Sequence, residues 1–216
     1  MAVFTGHDLT CIRGERTVFT ALDFRLEAGG AIVLMGPNGS GKSSLLRIMA
    51  GLIPPAAGTL AWDGEPVADD PGIHRSRLRY VGHADAVKAA FTVAEDLRFW
   101  AAFWGGGTGV VTHEAVAGAL EAFGLSRLAD APGQFLSAGQ RRRLALARAL
   151  VAPVPLWLLD EPRTALDDEA QNRLDAAVAR HRQGGGMIVM ATHGGPLPEH
   201  ASVLHLGTTA AGGVAC

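Results

Sequence analysis

Apolar positions along the chain fall into two kinds of run. Ala31–Met35 (AIVLM), Leu156–Leu159 (LWLL) and Met187–Ala191 (MIVMA) are short and continuous, the pattern of strands covered on both faces. Val3–Leu9 and Val18–Leu26 alternate loosely and predict short strands, with Gly29-Gly30 as the turn after them. Leu60–Trp62 and Leu78–Val81 predict two further strands. Helical spacing appears over Ser44–Ala50, where Gly51 and Pro54-Pro55 stop it. It returns over Val93–Phe103, His113–Phe123, Gln140–Val151 and Asp168–Arg182, with a GGGTG loop between the first two of these.

Strands alternating with helices argue for an α/β protein with a parallel sheet covered by helices. The middle third is mostly helical and predicts an inserted subdomain. The expected organisation is one domain over 1–216, with a core of about 1–87 and 151–216 and a helical subdomain of about 88–150. A chain of 216 residues suits one core with a small appendage. With 48% hydrophobic and 19% charged residues it reads as an ordinary folded protein.

The net charge of −2 gives no basic face for nucleic acid. Cys11 and Cys216 lie at opposite ends without a CxxC pair, so neither a disulfide framework nor a zinc site is indicated, which fits the cytoplasm. The start, MAVFTGHDLT, lacks the basic-then-apolar pattern of a signal peptide. The most apolar later stretch, Leu144–Leu159, is broken by Arg148, Pro153 and Pro155 and is too short to span a bilayer. Any membrane-embedded part would come from a partner.

Three motifs carry chemistry. Gly36-Pro37-Asn38-Gly39-Ser40-Gly41-Lys42-Ser43-Ser44 matches GxxxxGK[ST] directly after a buried strand and before a helix. Its glycines let backbone N–H groups turn inward around phosphates, and the helix adds its positive end. Lys42 would reach the β- and γ-phosphates, and Ser43 would ligate magnesium. The lysine content agrees: the chain has 17 arginines but only two lysines, Lys42 and Lys88. The strand Leu156–Leu159 ends in Asp160-Glu161, where the first carboxylate would hold magnesium and the second would orient or activate water. Leu136-Ser137-Ala138-Gly139-Gln140 precedes an arginine- and leucine-rich helix. Ser137 is there either a helix cap or part of a second phosphate-binding surface.

Together these motifs resemble the ABC ATPase family over essentially the whole chain. GPNGSGKSS is similar to Walker A, LSAGQRRR to the signature and LWLLDEP to Walker B. Thr164-Ala165-Leu166-Asp167 resembles the D-loop, and Ala191-Thr192-His193 the switch histidine. The resemblance implies a RecA-like P-loop NTPase fold with N-terminal antiparallel strands and a helical insert. It also implies MgATP hydrolysis by a head-to-tail homodimer. Each ATP would lie between one P-loop and the partner's Ser137, Ala138, Gly139 and Gln140. Lys42, Glu161 and His193 would be catalytic, Ser43 and Asp160 would hold Mg2+, and Asp167 would link the two sites.

Two positions depart from the family pattern. The usual glutamine at the start of the helical subdomain falls, nine residues before Thr92, on His83. The aromatic that usually stacks on adenine falls near Arg13, whose guanidinium can also stack on a π-face; Phe19 is the alternative. The segment Tyr80-Val81-Gly82-His83, the Ala138 variant of the signature, AEDLRFWAAF and the minimal length resemble the ATPase subunits of bacterial cytochrome c maturation, the haem-export branch.

That resemblance implies a separate six-helix permease, a peripheral place on the cytoplasmic face of the inner membrane, and no direct haem contact by this chain. The aromatics Phe99, Trp100, Phe103 and Trp104 pair at i,i+4. They would line a groove for a permease helix or form a small core under the insert. The expectation is that Phe99 and Phe103 face inward and Trp100 or Trp104 lies at the rim. A non-transport ABC ATPase acting on DNA or ribosomes is the rival reading, and the slightly acidic charge speaks against it.

Overall fold

The structure, a computed structural model, describes residues 2–104 and 113–207, so the GGGTG segment and Cys216 lie outside the described residues. The N-terminal strands β1 (Val3–Arg13) and β2 (Arg16–Glu27) are longer than their alternation suggests and pair antiparallel up to Arg13 opposite Arg16. They are followed by β3 (Ala31–Met35) and α1 (Lys42–Met49). Next come β4 (Ala57–Trp62), the two-residue β5 (Glu65–Pro66), α2 (Pro71–Ser76) and β6 (Leu78–Val81). The helices α3 (Val93–Trp104), α4 (His113–Ala122) and α5 (Ala138–Ala147) form the middle third. Then follow β7 (Leu156–Asp160), α6 (Asp168–Gln183), β8 (Met187–Ala191) and β9 (Ser202–His205).

These strands make two sheets. One is antiparallel, in the order β2-β1-β4-β5, and the other is parallel, in the order β6-β7-β8-β3-β9. The period of two along β7 divides the interior. Leu156 and Leu158 join α1 and the antiparallel sheet in one cluster, while Trp157 and Leu159 join the middle-third helices and α6 in the other. Burial of both faces explains why the central strands read as unbroken apolar runs. Each of these clusters gains roughly 25 cal/mol for every Å² of apolar surface removed from water.

Several boundaries differ from the sequence expectation. α1 starts at Lys42 rather than Ser44, and α5 runs Ala138–Ala147 and tightens into a 3-10 turn at Arg148–Leu150 rather than continuing to Val151. β5, α2 and β9 were not expected. α2 is only six residues long and β9 only four, too short for a periodic pattern, although Asp70 caps α2 by accepting from the Ile73 N–H at 2.9 Å.

The aromatic face of α3 is reversed. Trp100 and Trp104 pack against the core, whereas Phe103 is 66% exposed and Phe99 38% exposed. The cause is two arginine guanidinium groups lying over the indoles, Arg79 at 4.3 Å from Trp104 and Arg148 at 5.3 Å from Trp100. Arg148 is itself fixed by Asp96, through bonds of 2.7 and 2.9 Å, in an almost fully buried ion pair.

Candidate active site

The loop between β3 and α1 lies at the C-terminal edge of the parallel sheet, where an open α/β sheet places its ligands. Gly36 takes φ +146° where a Cβ would stand 2.2 Å from the Leu206 carbonyl, so no larger residue fits. Gly41 forms the start of α1 and brings no side-chain cap. The first N–H groups of that helix therefore face the loop rather than a capping side chain.

An open cleft of about 420 Å³ runs along this loop. It is lined by Asn38 to Ser44, by Asp160, Glu161 and His193, by His83, and at the far end by Arg13, Arg16 and Val18. Residues more than a hundred positions apart in sequence thus meet in one place. Lys42 is buried and donates from Nζ to the carbonyls of Gly36 (2.8 Å) and Pro37 (3.2 Å), so its ammonium is held inside the loop. The Ser43 hydroxyl donates to Asp160 Oδ1 at 3.0 Å, and the Tyr80 hydroxyl approaches Asp160 Oδ2 at 3.4 Å. Burial pushes the Tyr80 phenol up, which keeps it a proton donor toward that carboxylate. The Ser40 hydroxyl is buried without a hydrogen-bond partner, an orphan inside a phosphate-type cradle.

Beyond Asp160 the backbone turns sharply. Glu161 has φ +49°, a conformation rarely taken by a side-chain-bearing residue. Its N–H donates to Ala191 at 3.0 Å, tying it to the end of β8, and its Oε1 lies 3.1 Å from His193 Nε2 without hydrogen-bond alignment. Strand β8 delivers His193 just past its end, so adjacent parallel strands bring the carboxylate and the imidazole together.

The signature segment sits elsewhere. Ser137 and Gln140 form a reciprocal capping box: the Gln140 N–H donates to Ser137 Oγ (3.2 Å) and the Ser137 N–H to Gln140 Oε1 (2.8 Å). The cap reading of Ser137 is thus realised, and the box starts α5 at Ala138, two residues before Gln140. Ser137 and Ala138 are exposed and do not line the P-loop cleft. Gly139 lies against the D-loop, where a Cβ would come within 2.8 Å of the Ala165 carbonyl. Asp167 caps α6, accepting from the Ala170 N–H at 2.8 Å. Phe19 lies beside Gly41 and not in the cleft lining, so Arg13 rather than Phe19 reaches the cleft.

Arg16, Val18 and Tyr80 also belong to this neighbourhood but were not expected at the site from the sequence. Their positions depend on the β1–β2 hairpin register and on β6 running beside β7, which no local motif encodes.

Residues 19–164 match the ABC transporter family. A cytochrome c biogenesis ATP-binding export protein, CcmA, from Paramagnetospirillum magneticum is 54% identical over 95% of this chain and 94% of its own length. The chain belongs to the ABC transporter family, in its CcmA branch. The CcmA of Rhodospirillum rubrum is also 54% identical, over 95% of this chain and 86% of its own length.

Among solved structures, an ATP-binding cassette dimer in a post-hydrolysis state with ADP and Pi superimposes with a TM-score of 0.82 at 25% identity, covering 94% of each chain. An ABC transporter ATP-binding protein from Pyrococcus furiosus shares the fold at 21% identity, with a TM-score of 0.82 over 94% of this chain and 97% of that one. The chain is therefore an ATP-binding, ATP-hydrolysing member of the family, with the fold expected from its motifs. Among the described residues no helix is long and apolar enough to cross a membrane.

Proposed function

We propose that the chain is the ATPase subunit of a cytochrome c biogenesis export complex, working as a homodimer beneath a separate membrane permease. One observation carries the catalytic part: Lys42, the Ser43–Asp160 pair and the Glu161–His193 pair all open onto one cleft beside a phosphate-binding loop. The branch rests on the 54% identity to CcmA proteins over nearly the full chain.

In this reading the P-loop N–H groups and the N-terminus of α1 cradle the phosphates. Lys42 exchanges its loop carbonyls for the β- and γ-phosphate oxygens. The hydroxyl of Ser43 and the carboxylate of Asp160 are hard oxygen donors side by side, which suits Mg2+. When bound, that ion neutralises phosphate charge.

Glu161 accepts the proton of the attacking water as its oxygen bonds to the γ-phosphorus and the bond to the β–γ bridging oxygen breaks. His193 holds the Glu161 carboxylate and contacts the γ-phosphate. Arg13 lies against the base, and His83 stands where a side chain can sense whether the phosphates are present. Ser137 and Gly139 of one chain close over the ATP of the other, and Asp167 lies at the seam between the two sites.

The permease contact is proposed for the face of α3. Phe91, Phe99, Glu95 and Arg98 line a shallow depression of about 590 Å³, and Lys88 lies over the Phe91 and Phe99 rings at 5.0 and 4.4 Å. The outward turn of Phe99 and Phe103 favours a groove for a permease helix over a core under the insert. Haem and its chaperone remain with the membrane partners, and the chain stays peripheral on the cytoplasmic side.

The test is to purify a tagged Glu161→Gln variant from detergent-solubilised native membranes with MgATP and identify what accompanies it. Recovery of a six-helix permease with haem-handling proteins, together with lost turnover, is the expected result. An unrelated permease would overturn the cytochrome c branch, and recovery of ribosomes or DNA-bound proteins alone would overturn transport.

A further inference from the structure

Arg142 lies in the middle of the arginine run of α5, and its side chain is only 3% exposed. It uses all five of its N–H donors. Nη2 donates to the carbonyls of Asp160 (2.7 Å) and Glu161 (2.8 Å), and Nε to that of Pro162 (3.4 Å). Nη1 donates to the Gly82 carbonyl (2.8 Å) and to Asp85 Oδ1 (3.1 Å). A buried guanidinium is costly unless its donors are satisfied. Here the acceptors come from only two places: the end of β7 that carries Asp160 and Glu161, and the loop after β6 that carries His83.

The neighbours reinforce the pattern. Six residues on, Arg148 donates to the Asp85 carbonyl (2.7 Å) and the Ala86 carbonyl (3.3 Å), so the His83 loop hangs from two guanidinium groups of one helical segment. Glu161 sits in its strained conformation between the Ala191 carbonyl, which holds its N–H, and Arg142, which holds its own carbonyl. The helix bearing Arg142 begins at the signature residue Ser137.

We infer that Arg142 is a positioning residue that fastens the catalytic end of β7 and the His83 loop to the signature helix. It thereby fixes Glu161 for hydrolysis and couples one chain's signature face to that chain's own ATP site. The inference rests on the proposed hydrolytic role of Glu161. A simply structural arginine would alter folding stability but not turnover per folded molecule. A positioning residue alters kcat while leaving nucleotide binding, which belongs to the P-loop, in place.

The experiment uses the full chain purified with its membrane partners, carrying Arg142→Gln, Arg142→Lys or Asp85→Asn. Glutamine keeps two N–H donors and lysine keeps the charge without the fork. Turnover is read as kcat and KM for MgATP, and binding as the Kd of trinitrophenyl-ATP. Because a misplacement of about 1 Å costs up to about a hundredfold in rate, Arg142→Gln should lower kcat by about tenfold or more with Kd within about twofold of wild type.

Arg142→Lys should retain part of the rate. Asp85→Asn, which keeps an acceptor oxygen for Arg142 but removes the charge, should lower kcat by about threefold, because a charge-assisted bond is roughly twice as strong as a neutral one. Should Arg142→Gln fail to fold, the kcat against Kd split of Arg142→Lys and Asp85→Asn decides. Wild-type kcat in the folded variants, or Kd weakened in proportion to kcat, would overturn the inference. Glu161→Gln is the control: if it turns over normally, the hydrolytic reading fails first. If it is inactive while the Arg142 variants are normal, only the positioning role is lost.

Discussion

Two helix N-termini of the chain are proposed to meet phosphate, and they are finished differently. α1 begins at Gly41 with no side-chain cap, and its first turn lies in a cleft lined by the proposed catalytic side chains. α5 begins at Ser137 with a closed capping box, exposed and outside that cleft. The uncapped end is therefore the one proposed to bind ATP alone. The P-loop end leaves its backbone donors without a side-chain cap, whereas at the signature end Ser137 already takes the Gln140 N–H. Even so, the Ser137 hydroxyl accepts from Gln140 and keeps its proton to donate. A self-contained cap therefore remains able to meet the ATP of a second chain without unfolding.

The P-loop end should be most sensitive at Lys42. Lys42→Ala removes the ammonium held 2.8 Å from Gly36. Loss of such a charge-stabilising donor should cost on the order of 10²–10³-fold in ATPase kcat/KM while leaving the α5 cap intact. Steady-state turnover with circular dichroism checks both halves, and near-normal turnover would remove Lys42 from the catalytic role.

Ser137 allows a finer cut, because aspartate caps a helix as well as serine does but carries negative charge. Ser137→Asp should keep the melting temperature and lower turnover by about a hundredfold, through repulsion of the partner's γ-phosphate. Ser137→Ala should cost about 1 kcal/mol of stability and roughly tenfold in turnover. Equal turnover in the aspartate variant and wild type would leave Ser137 as a cap only.

The smallest effect touches neither terminus. Burial lowers His74 and His181 below their usual value of 6.5. The folded chain resists protons that the unfolded chain accepts, so this stability is complete above pH 6.5 and falls as pH drops from there toward the lowered values. The melting temperature should therefore be a few degrees lower at about pH 5.5 than at about pH 7.5. His181→Phe, which can keep the stack on Trp157, should shrink that difference.

Much of this architecture is legible in the sequence because its central strands are buried on both faces and each motif is contiguous. The P-loop, the Leu156–Glu161 strand end and the Ser137 segment each carry their chemistry in neighbouring residues. The aromatic face of α3 was not legible. Phe99/Phe103 and Trp100/Trp104 both satisfy i,i+4 spacing, and the choice between the two stripes depends on Arg79 and Arg148, which reach them from β6 and the 3-10 turn after α5. Nor could the RRR run announce which arginine turns inward. That needs the end of β7 as a target, and the sheet supplies it only after folding.

In the proposed dimer, each ATP is completed by the signature end of a second chain. The direct measurement is light scattering of Glu161→Gln with MgATP, alone and combined with Ser137→Asp, with bound nucleotide quantified in the same fractions. The single variant should form a dimer, and an ATP-loaded monomer should result when Ser137→Asp is added. A dimer that forms equally in both would contradict that arrangement.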